Sequence, residues 1–418
     1  MIKQIEGSQA VAEAVALCRP QVVCAYPITP QTHIVEGVGA LVKSGQLENC
    51  EFINVESEFA ALSVGIGASA AGARVYTATA SQGLLFMAEA VYNAAGLGLP
   101  IVMTIGNRAI GAPINIWNDH SDSMSMKDAG WIQLHAETNQ EDADLHIQAF
   151  KLAEMISCPV MVCMDGFILT HAYERVDIPT QEQVDAFLPP FEPVQELDPD
   201  NHYSIGAMVG PDAFMEVRYL AHHKQMEALE RIPPLAAEFA EVFGREAGGL
   251  VRPYRTEDAD TIVVAMGSVN GTVKDVVDAK REAGMAIGSV GICSFRPFPL
   301  DALRDAIGDA KRIVCLEKSL APGLGGMLAS NVRMALRSNP LPVYTVICGL
   351  GGRVITRKSL SSLFDKAAGD SLDDVTFLDL NWDVVHQQLE RARDHRQSGP
   401  IAESLLKDLN PGLVRRAS

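Results

Sequence analysis

The chain has 418 residues, 48% of them hydrophobic and 21% charged, and its 34 basic and 52 acidic side chains leave a formal charge of −18. At roughly 150 residues per domain, this length calls for two or three units with a sizeable buried core. The acidic balance repels phosphate backbones and anionic lipid surfaces, and neither a signal-like N-terminus nor an apolar run of about 18 residues is present, so the chain reads as soluble and cytoplasmic, without a nucleic-acid or membrane partner.

From the N-terminus to about Gly166, apolar strand-like runs alternate with helix-like stretches: QVVCAYP, EFAALSVGIGASAAG, ARVYTATAS, LLFMAEAVYNAAG, LPIVMTIG and CPVMVCMDG. The alternation predicts an α/β unit with a largely parallel sheet. Between about Ile178 and Glu257 it gives way to proline-rich, acidic segments and a polar helical stretch around HHKQMEALERI, which read as a connecting arm. It resumes at TIVVAMGS and runs through AIGSVGICSFRPFPL, KRIVCLEKS and LPVYTVICGLGG to about Leu380. The expected organisation is a first domain with its arm over 1–235, a smaller α/β domain over 255–380, and a charged helical arm over 381–418.

Eight cysteines are scattered, and none forms the C-x-x-C spacing of a zinc or iron–sulfur site. They read as small buried apolar residues in a reducing compartment.

Ligands of parallel α/β sheets bind beyond the carboxyl ends of the strands, where loops lead into helix N-termini. AYPITPQT, Ala25 to Thr32, stands at such an end, and its two prolines stiffen the turn around Thr29. A proline-stiffened turn is common by itself, so this motif gains weight only from its neighbours. In NVESEFAALSVGIGASAAG, Ser57 can cap a helix whose first turn holds Glu58. A first-turn glutamate usually serves the helix dipole, yet the density of small residues predicts close packing and a carboxylate that faces an interface.

In IVMTIGNRAIGAPINIWNDHSDSMSMKDAGW a buried run leads to Asn107 and Arg108, then to Asp119, His120 and Asp122. One imidazole and two carboxylates in one loop are a weak metal signal. A guanidinium at a strand end can hold a carboxylate in a fork, or pair with an acid of the protein.

Together, YPITPQT, ESE followed by ATASQGL, and NRA followed by PINIWNDHSD resemble the α subunit of the multi-subunit 2-oxoacid:ferredoxin oxidoreductases, most closely the pyruvate type. RPFPL, LEKS, APGLGG and CGLGGR extend the resemblance over nearly the whole chain. It implies a pyrimidine-binding domain of the thiamine-diphosphate enzymes followed by a transketolase C-terminal-like domain. It also implies that Glu58 hydrogen-bonds the aminopyrimidine of thiamine diphosphate, with Pro27, Ile28, Ser81 and Gln82 along the cofactor. By the same resemblance, Thr29 and Arg108 meet the 2-oxoacid carboxylate, and Ile110 and Gly111 wall its substituent.

The chain has no GDG motif with a following asparagine pair for Mg²⁺ and diphosphate, and no cysteine set for a cluster. The resemblance therefore implies a diphosphate-binding β-type partner that brings Mg²⁺, and iron–sulfur clusters in that partner and a ferredoxin-like subunit. A γ-type subunit and coenzyme A complete the assembly, and no metal is expected in this chain.

NRA is followed here by Ile110-Gly111 where the pyruvate-type pattern has Leu-Ser, and the QRDTGW segment becomes Met126 to Trp131 with Ala129 in place of the hydroxyl residue. Both changes remove side-chain atoms and admit a larger acid, such as an aryl glyoxylate, as an alternative substrate. Ferredoxin and, through an added flavin subunit, NAD both remain open as acceptors. Two other readings are a non-catalytic scaffold, against which Thr29, Glu58 and Arg108 stand together, and a transketolase-like transferase, which needs the missing diphosphate motif.

Overall fold

The computed structural model describes residues 1–394. The first half of the chain supplies β1 (Ile2–Glu6), β2 (Val22–Ala25), β3 (Glu51–Asn54), β4 (Val75–Thr79), β5 (Ile101–Asn107), β6 (Ile132–His135), β7 (Val160–Asp165) and β8 (Tyr173–Asp177). The second half supplies β9 (Val251–Tyr254), β10 (Thr261–Ala265), β11 (Ile287–Ile292), β12 (Ser294–Arg296), β13 (Arg312–Glu317), β14 (Val343–Ile347) and β15 (Val375–Phe377).

The first main sheet runs β12-β6-β7-β5-β4-β2-β3 and is parallel except for β12. Its central strands β4, β5 and β7 are buried along their whole length, because helices cover both faces. The second runs β15-β14-β13-β10-β11-β9 and is parallel except for β9. Two α/β domains with parallel sheets are thus present, as the alternation predicted. β1 and β8 form a separate antiparallel pair.

Two features tie the halves together. β12 comes from the second half yet pairs antiparallel with β6, completing the first sheet. The helix Pro211–Phe243 runs on through Pro233 and Pro234, residues that ordinarily end a helix. Its later part is held by packing: Ala228, Ile232, Leu235, Phe239 and Phe243 are buried in the core of the first domain. Phe187, Phe239 and Phe243 meet there ring to ring at 4.2–5.6 Å. The run LLFMAEAVYNAAG is two helices, Ser81–Phe86 and Ala88–Leu97, that meet at Met87.

All eight cysteines are free, and seven of them are buried. A helix over Trp382–Asp394 begins the C-terminal arm; the part of the arm expected beyond residue 394 lies outside the described residues. Among the described residues no helix is long and apolar enough to cross a membrane.

Candidate active site

The carboxyl ends of β2, β4, β5 and β7 converge on one edge of the first sheet. From β2 the chain enters the turn Tyr26–Gln31, closed by Gln31 N–H donating to the Ile28 carbonyl at 2.9 Å. The buried Gln31 side chain donates to the carbonyls of Tyr26 (2.9 Å) and Ala78 (3.2 Å), stitching this turn to β4. Pro27 and Thr29 are exposed, Ile28 is half-buried and Pro30 is buried, so the loop is anchored at its far end and leaves Thr29 exposed.

Glu58 opens the helix Glu58–Ala70, capped by Ser57, whose Oγ accepts from Ala60 N–H at 3.2 Å. Glu58 is only 8% exposed. Its carboxylate has no hydrogen-bond or ion-pair partner among the described residues, so its oxygens are left for a ligand or solvent. The Ser81–Phe86 helix passes close beside it. A Cβ on Gly83 would stand 2.7 Å from Glu58 Oε1 and 2.6 Å from Thr79 Oγ1, so only glycine fits at that crossing. Thr79 Oγ1 is itself buried and unpartnered. Glu58 Oε1 and Thr79 Oγ1 thus both pack against the Gly83 backbone at the helix mouth.

Arg108 follows β5 and is buried. Its Nη1 donates to the Thr29 carbonyl at 2.8 Å and its Nε to the Asn115 carbonyl at 3.1 Å. Of the five guanidinium donors, one on Nη1 and both on Nη2 remain for a ligand. Burial pushes the Arg108 pKa below the usual arginine value, while the neighbouring Asp122 opposes the fall.

Asp122 is the hub beneath these groups. It is fully buried, and its Oδ2 accepts from the N–H groups of Ser81 and Arg108, both at 2.9 Å. Its Oδ1 accepts from Asn107 Nδ2 and Ser123 N–H, both at 2.8 Å. Burial outweighs these donors and pushes its carboxyl up to about 7. Ser81 takes a left-handed backbone, φ +49°, and its Oγ lies within hydrogen-bond distance of the Ala109 carbonyl, at 2.5 Å, and of Gln82 Oε1. Gln82 Nε2 in turn donates to the Gly111 carbonyl at 3.2 Å. Ser81, Gln82, Arg108 and the segment Ile110-Gly111 are therefore one connected unit.

Asp119, His120 and Asp122 do not converge as metal ligands would. Asp119 Oδ2 accepts from Gly351 N–H at 3.1 Å, and His120 Nε2 meets Asp165 Oδ1 at 2.7 Å. Asp165, at the end of β7, also takes Lys318 Nζ at 2.6 Å and Ser268 N–H at 3.0 Å from the second domain. Lys318 and His120 hold the buried Asp165 carboxyl well below the usual carboxylate range. The loop CGLGG grips the same place: Gly352 N–H donates to the Asn118 carbonyl at 2.7 Å, and Asn115 Nδ2 donates to the Gly351 carbonyl at 3.2 Å. The second domain thus braces the loop that carries Asn115 to His120.

Gly111 has φ +112°, and a Cβ built there meets no atom within 4 Å. The space beside it is open, but a larger residue would be strained by the backbone. Ala129 departs from its expected role at the substrate. It is buried in the core beside Trp131, and its neighbour Gly130 packs on Cys158, which precedes β7 and so lies beyond the end of the strand opposite Asp165. Trp131 fixes this segment by donating to the Val91 carbonyl at 2.7 Å. Lys127 to Trp131 and Arg296 to Leu300 instead line a cavity of about 640 Å³ between the domains.

Sequence reasoning singled out Asp122 only as a possible metal ligand, and it passed over Asp165 and Lys318. Both were visible as polar residues ending apolar runs, in VMVCMDG and IVCLEKS.

Residues 13–236 match the family described as pyruvate flavodoxin/ferredoxin oxidoreductase, thiamine diphosphate-binding, and residues 259–360 match pyruvate:ferredoxin oxidoreductase core domain II. Pyruvate synthase subunit PorA of Methanosarcina barkeri is 46% identical over 390 residues, 91% of this chain and 97% of the relative. PorA of Pyrococcus furiosus is 43% identical over 394 residues, 92% and 99% of the two chains. Ketoisovalerate oxidoreductase subunit VorA of Pyrococcus abyssi is 41% identical over 364 residues, 86% and 92%.

Among solved structures, 2-oxoglutarate:ferredoxin oxidoreductase from Magnetococcus marinus shares the fold with a TM-score of 0.65 at 19% identity, over 88% of this chain and 65% of that one. A split-gene transketolase shares it with a TM-score of 0.52 at 15% identity, over 88% and 99%. Matched over most of its length by family and relatives alike, the chain belongs to the 2-oxoacid:ferredoxin oxidoreductases, as an α subunit.

Proposed function

We propose that this chain forms the aminopyrimidine side of a thiamine diphosphate site that it shares with a β-type, diphosphate-binding partner. The assembled enzyme oxidatively decarboxylates a 2-oxoacid, pyruvate first, with coenzyme A as acyl acceptor. One 2-oxoacid and one coenzyme A give one acyl-CoA, one CO₂, a proton and two electrons. The electrons leave through iron–sulfur clusters of partner subunits, one of them ferredoxin-like; Mg²⁺ belongs with the diphosphate on the β-type partner, and a γ-type chain completes the complex.

The observation that carries this reading is the Glu58 carboxylate, packed closely against Gly83 at the mouth of its helix and without a partner among the described residues. Bound there, thiamine diphosphate supplies the carbanion and electron-sink chemistry that no side chain offers. Glu58 receives a ring N–H at its oxygen and stabilises the protonated ring nitrogen, a role that water would weaken. In this reading Pro27 and Ile28 of the stiffened turn, with Ser81 and Gln82, lie along the cofactor.

Arg108 turns its free donors to the substrate carboxylate, while its other bonds keep the guanidinium fixed against the Thr29 carbonyl. The Thr29 hydroxyl adds one bond to that carboxylate. Ile110 and Gly111 border the substituent, and the open space at Gly111 leaves room for more than a methyl group. Exposed Tyr26, Phe59, Phe86, Ile114, Ile116 and Trp117 ring this edge, an apolar rim suited to a covering subunit.

Purification of the native assembly and assay of 2-oxoacids with coenzyme A and a low-potential acceptor tests the proposal. The highest kcat/KM is expected for pyruvate. A preference for 2-ketoisovalerate or phenylglyoxylate would move the substrate assignment to the larger acid, and failure of every 2-oxoacid to reduce the acceptor would overturn the reading.

A further inference from the structure

We propose that Glu6, His33 and His171 form a binding site for one divalent transition-metal ion of the zinc type, which ties the substrate-side turn to the β7–β8 connection. Glu6 ends β1, His33 lies in the first turn of the helix Thr32–Lys43, and His171 lies between β7 and β8. Three separate segments therefore bring their side chains to one spot. A ligating atom from each lies within 4.8 Å of the other two.

The geometry is close to a coordination shell. His33 Nδ1 is 2.6 Å from Glu6 Oε1, and the two imidazole centroids are 4.7 Å apart. Zinc bonds of about 2.0–2.2 Å to nitrogen and oxygen put tetrahedral ligand atoms roughly 3.3 Å from one another. A small rotation of His33, whose side chain is 48% exposed, closes the difference. Two imidazoles with one carboxylate suit zinc and its neighbours, whereas Mg²⁺ and Ca²⁺ take oxygen sets, and a fourth position remains for water.

The supporting groups are also in position. Thr170 Oγ1 lies 2.7 Å from His171 Nδ1, leaving Nε2 free to ligate, and it accepts from Phe167 N–H at 2.7 Å. Metal-ligating histidines ordinarily have their second nitrogen held in this way. The Thr170 carbonyl accepts from both the N–H (2.9 Å) and the Oγ (2.7 Å) of Ser8, which anchors this connection next to Glu6. Phe167 packs with tilted rings against His171, centroids 4.7 Å apart, and against Trp117, centroids 4.6 Å apart. An exposed His33–Glu6 ion pair alone would need neither the second imidazole nor its hydroxyl support.

Calorimetric titration of the chelator-treated full chain with zinc chloride is the test. One equivalent is expected to bind in the micromolar range. His33→Gln and His171→Gln should each weaken it at least tenfold, while the apo thermal midpoint stays within a few degrees. Glu6→Gln, which keeps the side chain's size, should also weaken it and provides the readout if a histidine variant fails to fold. Absence of saturable binding below the millimolar range would overturn the site. So would binding that persists in these variants, or that follows His222→Ala on the exposed N-terminal part of the helix Pro211–Phe243 instead.

Discussion

Asp122 gathers four N–H donors, and two of them belong to Ser81 and Arg108, so this carboxyl sets the position of both. Asparagine has one side-chain oxygen, so Asp122→Asn turns an NH₂ group toward two of those donors. Each buried donor left unpaired costs about 1–3 kcal/mol. The variant should be less stable and should lose kcat/KM on 2-oxoacids as Arg108 shifts. It should also change the pH dependence. The carboxyl titrates at about 7 in the folded chain, above the ordinary 3.8 of aspartate. Its contribution to stability is thus full below about 4 and is lost as pH rises through 7. Denaturant midpoints at pH 6 and pH 8 should therefore fall more in the wild type than in Asp122→Asn; parallel falls would remove Asp122 from that account. At this scale the sequence was legible in position, since the turn that carries Thr29 follows β2 and Arg108 follows β5. It was not legible where a role depends on a distant backbone. Asp122 looked like part of D-H-S-D, and the positive φ of Gly111, which makes Gly111→Ser a backbone change as well as a filling of space, has no signature beyond the glycine itself.

Between elements, the bond from Lys318 after β13 to Asp165 at the end of β7 joins the two domains behind the site. Both side chains are buried, so Lys318→Met leaves a buried carboxylate whose one remaining basic side-chain neighbour among the described residues is His120. Removing one partner of a buried pair costs about 3–5 kcal/mol, whereas replacing both is far cheaper. Lys318→Met should therefore lower the denaturation midpoint sharply, and Asp165→Asn in the same chain should restore part of it. Additive losses in the double variant would show that the pair does not couple the domains. The fully buried strands β4, β5 and β7 were legible as elements because burial on both faces writes predominantly apolar runs. β6 was not, since buried Gln133 and His135 interrupt its run. Neither was the passage of a helix through Pro233 and Pro234, which local rules forbid and which packing of Phe239 and Phe243 on the first core sustains. The pairing of β12 with β6 across the domains also follows from tertiary structure alone.

Over the whole molecule, an acidic chain of two α/β domains holds one edge of a sheet open, rims it with exposed aromatic and aliphatic side chains, and keeps an unpaired carboxylate just inside. The recurring segments of the second domain, LEKS and CGLGG, make sense at this scale: they brace the loop from Asn115 to His120. RPFPL does different work at the interdomain cavity. The central claim is that Glu58 serves a cofactor completed by another subunit. It is tested most directly by the exchange rate of the thiazolium proton of thiamine diphosphate, followed by NMR after acid quench, in the assembled enzyme with wild-type or Glu58→Gln α chain. An amide of the same size cannot stabilise the protonated ring nitrogen, so the exchange should slow by about a hundred- to ten-thousandfold while the assembly stays intact. An unchanged rate in an intact assembly would contradict the account and leave Glu58 as a residue of the helix N-terminus alone.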